Sequence, residues 1–278
     1  MSRRHARMLA GMLGLTLGAT PLAAQGESIT LKLRPAPNQT IHIGMQQQMA
    51  FIATAEGLPN GPMKIDGVTA FSALQRVGAP DAKGNLVAEM HIDSISVAML
   101  VNGMPMPALP LDSLKGQTVT VTYDPDGKVI DAKAPGMNEA VTGSVRGMVG
   151  QFAGSIPNAT LGIGDTVSAP LNMTLPIPAL GASQTNLQGR NLFQLLEVTR
   201  EGGDRIAKLK LTTEATMNGS VDMHLTGTGT MDWNVEKGFL KNGSSNMNTE
   251  MTLTIPGGGT MHLTGTIKMT ITGESRAP

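Results

Sequence analysis

Three Met-His dipeptides, Met90-His91, Met223-His224 and Met261-His262, are the first residues in this chain whose types could do chemistry. A thioether beside an imidazole suggests a soft-metal site, with copper as the natural occupant. Met104 and Met106 in "GMPMP" offer two further thioethers, and "DPDG" (Asp124 to Gly127) has the opening of a calcium loop.

The elements that carry these residues argue against each site. Successive side chains of a strand point to opposite faces. Leu86, Ala88, Met90 and Ile92 then share one face while Glu89, His91 and Asp93 share the other. Val221, Met223 and Leu225 likewise oppose Asp222, His224 and Thr226, and Met261, Leu263, Ile267, Met269 and Ile271 oppose His262, Thr264, Thr266 and Lys268. Methionine falls on the apolar row and histidine on the polar row each time, so neighbours cannot close on one ion. A site from His224, His262 and Asp222 would have to be assembled across strands. Two thioethers are too few for Cu(I), and "DPDG" lacks the later ligands and final glutamate of a calcium loop, so a hairpin turn is expected there. The sequence has no Gly-x-Ser-x-Gly elbow, no His-Glu-x-x-His and no phosphate-binding glycine loop. These observations predict no metal, no cofactor and no catalytic activity.

Period-two alternation dominates the chain. Strands are expected over Thr40 to Thr54, Gly67 to Val77, Leu86 to Val101, Asn191 to Arg200, Arg205 to Met217, Val221 to Trp233, Phe239 to Ile255 and Thr260 to Thr272, separated by Gly- and Pro-rich turns. Between Asn138 and Gly154 the period changes. Val141, Val145, Met148 and Phe152 follow helical spacing, with glycines on the opposite side. The second half repeats the rhythm of the first, "LQRVGAPDAKGNLVAEMHI" matching "LLEVTREGGDRIAKLKL", which reads as an internal duplication. The expected fold is therefore mainly β: two curved antiparallel sheets of half-barrel or open-barrel type, at residues 25–135 and 159–278, joined by a connecting α-helix at 136–158.

The first 24 residues have the grammar of a secretory signal peptide: Arg3, Arg4 and Arg7, a modest apolar run, then small residues around Ala23 and Ala24. The apolar run falls short of the ~20 residues a bilayer span needs. Without any cysteine the chain can hold no disulfide, thiolate site or lipidated cysteine, so a periplasmic or extracellular location is expected. Removing the leader takes away three of the 21 basic residues and none of the 21 acidic ones, a net charge of about −3 that offers nothing to nucleic acid.

The hairpin "LDSLKGQTVTVTYDPDGKVIDAKAP" and the later "PNATLGIGDTV" resemble an uncharacterised family of exported bacterial proteins. Asp112-Ser113, Leu114, Gly116, Val121, Asp124, Gly127, Val129 and Gly164-Asp165 carry the resemblance; Thr166-Val167 departs from it, standing where a small residue and a tryptophan are expected. It implies no activity. More distantly, curved sheets packed with a helix are similar to periplasmic lipoprotein carriers and lipid carriers, an analogy of fold.

Twenty methionines against 3% aromatic residues mean that flexible, polarizable side chains fill the apolar face. Met90, Met99, Met217, Met223, Met261 and Met269, with Val145, Met148 and Phe152 from the helix, are the expected lining of an apolar cavity. The expected function is binding of a hydrophobic ligand such as a lipid or acyl chain. The alternative is an envelope interaction or assembly module whose Thr-rich faces or sheet edges bind another protein.

Overall fold

The computed structural model describes residues 27–55, 61–107, 114–136, 156–176, 184–218, 221–255 and 259–276. Fourteen strands follow in chain order: β1 (Ser28–Leu31), β2 (Thr40–Ala55), β3 (Met63–Val77), β4 (Leu86–Val101), β5 (Met104–Pro105), β6 (Thr118–Tyr123), β7 (Val129–Lys133), β8 (Ala159–Gly162), β9 (Thr166–Pro176), β10 (Gln184–Glu201), β11 (Asp204–Met217), β12 (Val221–Asn234), β13 (Phe239–Ile255) and β14 (Gly259–Arg276). Long runs of Thr, Ile, Val and Met at period two sustain strands of up to 18 residues, well beyond the usual ~5–6.

Twelve strands make one antiparallel sheet, in the order β7-β6-β4-β3-β2-β14-β13-β12-β11-β10-β9, with β5 paired to β4. Asn102 (φ 52°) and Gly103 (φ 79°) form the two-residue turn between β4 and β5. Both adopt the left-handed conformation that matches strand twist in such hairpins, which Asn-Gly accepts readily. Asp124 closes the "DPDG" turn by accepting the backbone N–H groups of Asp126 and Lys128 at 2.9 and 2.8 Å.

The expectation of two comparable sheets joined by a helix is corrected here. The two halves merge because β2 and β14 pair from Thr40↔Arg276 to Ala55↔Met261, which satisfies backbone groups that two separate sheets would leave at open edges. The second sheet has two strands among the described residues, β1 and β8. Among the described residues there is no α-helix. Residues 137–155, which include Val145, Met148 and Phe152, lie outside the described residues.

The β1–β8 pair lies against one end of the large sheet. Ile29, Leu31 and Leu161 pack with Phe193, Leu195, Leu209, Met231 and Trp233 in the largest core cluster. A second cluster joins Val77, Leu86, Ile92, Val119, Val121 and Tyr123, and Leu33 touches both. Beyond β1, residues 32–36 strap the turns at this end. Lys32 Nζ donates to the Pro125 carbonyl (2.6 Å), Arg34 Nη2 to Gly84 (3.0 Å), and Ala36 N–H to Lys237 (2.9 Å). Arg205 adds a hydrogen bond to the Ser28 carbonyl and an ion pair with Glu236. One end of the sheet is thus closed by chain and core.

Candidate functional site

The inner face of the large sheet is read directly from the register. One row runs Gln47↔Met269↔Ser245↔Gly229↔Leu211↔Phe193; the next, Met49↔Ile267↔Met247↔Gly227↔Thr213↔Asn191; the next, Phe51↔Gly265↔Thr249↔Leu225↔Ala215↔Gly189. A cavity of about 550 Å³ lies on these rows, within the ~300–1,000 Å³ of small-molecule sites. Gln47 and Phe51 of β2 line it from one side, Leu171 of β9 and Leu187 of β10 from the other. On a flat sheet β2 and β9 would stand about 29 Å apart, six steps of ~4.8 Å. Only a curled sheet brings them to one cavity.

Glycines stand where a side chain would have no room. A Cβ on Gly265 would lie 2.2 Å from the Ala50 carbonyl oxygen and 2.4 Å from Phe51 Cδ1; one on Gly227 would lie 2.6 Å from Met247 Cγ. A side chain at either position would therefore collide with the neighbouring strand. The Phe51 ring and the Met247 side chain occupy the space that a side chain on the adjacent glycine would take, and both line the cavity.

The described lining is apolar with a few neutral polar groups and no charged residue. Thr213 Oγ1 donates to Asn191 Oδ1 at 2.8 Å, and both residues are 8% exposed. Thr249 (3% exposed) and Ser245 also line the cavity, with hydroxyl oxygens that are buried and have no hydrogen-bond partner among the described residues. Leaving such a group unpaired costs about 1–3 kcal/mol.

Of the residues expected from sequence, Met223 and Met269 line the cavity. Met217, 1% exposed, is packed in the adjoining cluster with Leu187, Ala215, Val221 and Leu225. Met90 is half-buried against the second core cluster. Met99 and Met261 are half-buried on the inner face, opposite Gly67 and Ala55, away from the cavity lining. Val145, Met148 and Phe152 lie outside the described residues. Sequence reasoning missed Met231, Met247 and Met251, which line the cavity and carry the same alternating signal as the methionines chosen. It also missed Asn191, Thr213 and Thr249, whose signal was a polar residue at the inward phase, as Thr249 stands between Met247 and Met251.

The histidines occupy the outer face. His91, His224 and His262 are exposed, and His91 and His262 share hydrogen bonds with Thr118 and Thr252. Thr252 of β13 stands between His262 and Asp222, while His224 is paired with Glu250. No three His, Asp or Glu side chains among the described residues could hold a metal ion. Met104 and Met106 are 67% and 49% exposed at the β4–β5 hairpin.

Perturbed carboxyl groups serve turns and the strapped end rather than the cavity. The Asn234 amide, then Lys237, holds Asp204 below its usual range. Burial pushes Glu236 up, but hydrogen bonds from Arg205 outweigh it and the net shift is downward. Hydrogen bonds from the Asn85 backbone and side chain lower Asp81. No helix among the described residues is long and apolar enough to cross a membrane.

No protein-family model matches this chain, and no curated protein matches its sequence. Among solved structures it is similar to lipovitellin, in a structure describing lipid–protein interactions in that protein. The TM-score is 0.46 at 13% identity over 88% of this chain. The match spans about a quarter (26%) of the lipovitellin chain.

Proposed function

We propose that this protein binds a hydrophobic ligand, a lipid or an acyl chain, on the inner face of its curled sheet, without catalysing a reaction. The observation that carries this reading is the ≈550 Å³ cavity whose described walls are mainly Met, Leu, Ile and Phe, with neutral polar groups and no charged group. Water held there would find few partners, and its replacement by hydrocarbon is favourable at ~25 cal/mol per Å² of apolar surface buried. Methionine suits the role, since an unbranched thioether adapts to chains of different shape. The proposal includes export to the periplasm or beyond, supported by the leader-like residues 1–24. Native mass spectrometry of the purified protein, delipidated and then re-exposed to a bacterial lipid extract, tests it. A retained apolar species of defined mass is expected; no adduct before or after exposure would end this reading.

A second reading, contact with an envelope protein, draws support from the outer face. Val68 beside Ala98, and Leu100 beside Pro105, leave exposed apolar side chains on adjoining strands, with Met104 at the hairpin. Crosslinking in native envelopes should then capture one defined partner through this patch, and its absence would favour the ligand reading alone.

A further inference from the structure

From the hydrogen bonding of Asn191 we infer that the cavity selects a neutral lipid bearing an ester or amide carbonyl over a bare hydrocarbon or a fatty-acid carboxylate. This inference rests on the cavity being a hydrophobic-ligand site and adds its chemical selectivity.

Asn191 is a side-chain amide in an otherwise largely apolar wall, more than nine-tenths buried and flanked on the inner face by Ala169 and Thr213. Thr213 Oγ1 donates to its Oδ1 at 2.8 Å. That bond fixes the amide plane and uses the carbonyl, so the Nδ2 donors turn the other way. Among the described residues Nδ2 donates no hydrogen bond, and Asn191 is part of the cavity lining. A pinned amide whose N–H groups meet no acceptor among the described residues, in the wall of an apolar cavity, is a hydrogen-bond donor for a ligand. An alkane leaves it unpaired. A carboxylate would accept from it, but would have to shed its hydration beside walls without a cation, and an isolated charge is far more costly to desolvate than a neutral carbonyl. An ester or amide carbonyl meets both conditions. Asn191 is then the ligand-contacting donor and Thr213 the residue that positions it.

Three ligands of equal chain length separate these cases: methyl palmitate, hexadecane and palmitate at alkaline pH, each delivered from cyclodextrin. Their binding is read as displacement of the neutral fluorophore N-phenyl-1-naphthylamine from the delipidated full chain. The wild type should prefer methyl palmitate to hexadecane by roughly five- to tenfold, the ratio that one net hydrogen bond gives, and should bind palmitate more weakly than the ester. Asn191→Leu should bring the ester-to-alkane ratio close to one. Thr213→Val, which keeps the amide but releases its orientation, should give an intermediate ratio and serves if Asn191→Leu does not fold. Equal binding of ester and alkane by the wild type, or an unchanged ratio in the folded variants, overturns the inference while leaving the ligand site standing. Displacement by none of the three overturns both readings.

Discussion

Raising the pH from 10 to 12 should unfold this protein partly through one residue, Tyr123. Its side chain is 6% exposed and packed with Val77, Leu86 and Val121 in the core cluster at the strapped end. Burial disfavours the phenolate and pushes the group up to about 12, against an opposing hydrogen bond from Gln75. In the unfolded chain the phenol titrates near ~10. Between these values the unfolded chain has released a proton that the folded chain retains, so stability falls as pH rises. The contribution is complete below pH ~10 and lost by pH ~12. Two pH units at ~1.36 kcal/mol each amount to roughly 2–3 kcal/mol. The chain contains a single tyrosine, so tyrosinate absorbance in the near ultraviolet reports this group alone. Urea titrations across the same range should show the wild type losing that amount relative to Tyr123→Phe, which has no proton to release. Tyrosinate appearing near pH 10 in the folded protein, or parallel decline of the two proteins, would refute the packing argument.

Other consequences can be checked as directly. Thr249→Val removes a buried hydroxyl that has no partner among the described residues, and should stabilise the empty protein by about 1–2 kcal/mol, or roughly 2–8 °C in Tm by calorimetry; a lower Tm would mean the hydroxyl is satisfied. Gly265→Val places a Cβ against the Ala50 carbonyl and the Phe51 ring, and should cost about 3 kcal/mol, read as a lower urea midpoint at unchanged slope. A neutral outcome there would show that the sheet does not need this close approach to curl.

Much of the architecture was legible in the residues because strand alternation is local. The run from Leu86 to Val101 was bounded correctly, and so was Phe239 to Ile255, since each alternates without interruption between residues that turn. The assignment of methionine inward and histidine outward followed from the same period, and it disposed of neighbouring Met-His pairs as metal sites. The helical spacing of Val141, Val145, Met148 and Phe152 falls outside the described residues, and the described fold is built without a helix.

What the sequence by itself determined about this protein is which side chains share a face; which faces meet was decided only in the tertiary structure. Nothing near Thr40 announces that its strand will pair with the one ending at Arg276, because backbone groups pair with any edge and the choice depends on every other strand's place. The strap at residues 32–36 is equally silent, its contacts being backbone carbonyls of distant turns. The hollow itself is a matter of volume: Phe51 and Met247 of its lining take up room that side chains on Gly265 and Gly227, on other strands, would need. Asn191 was a polar letter in a strand until the fold set Thr213, 22 residues away, against its amide in the wall of the cavity.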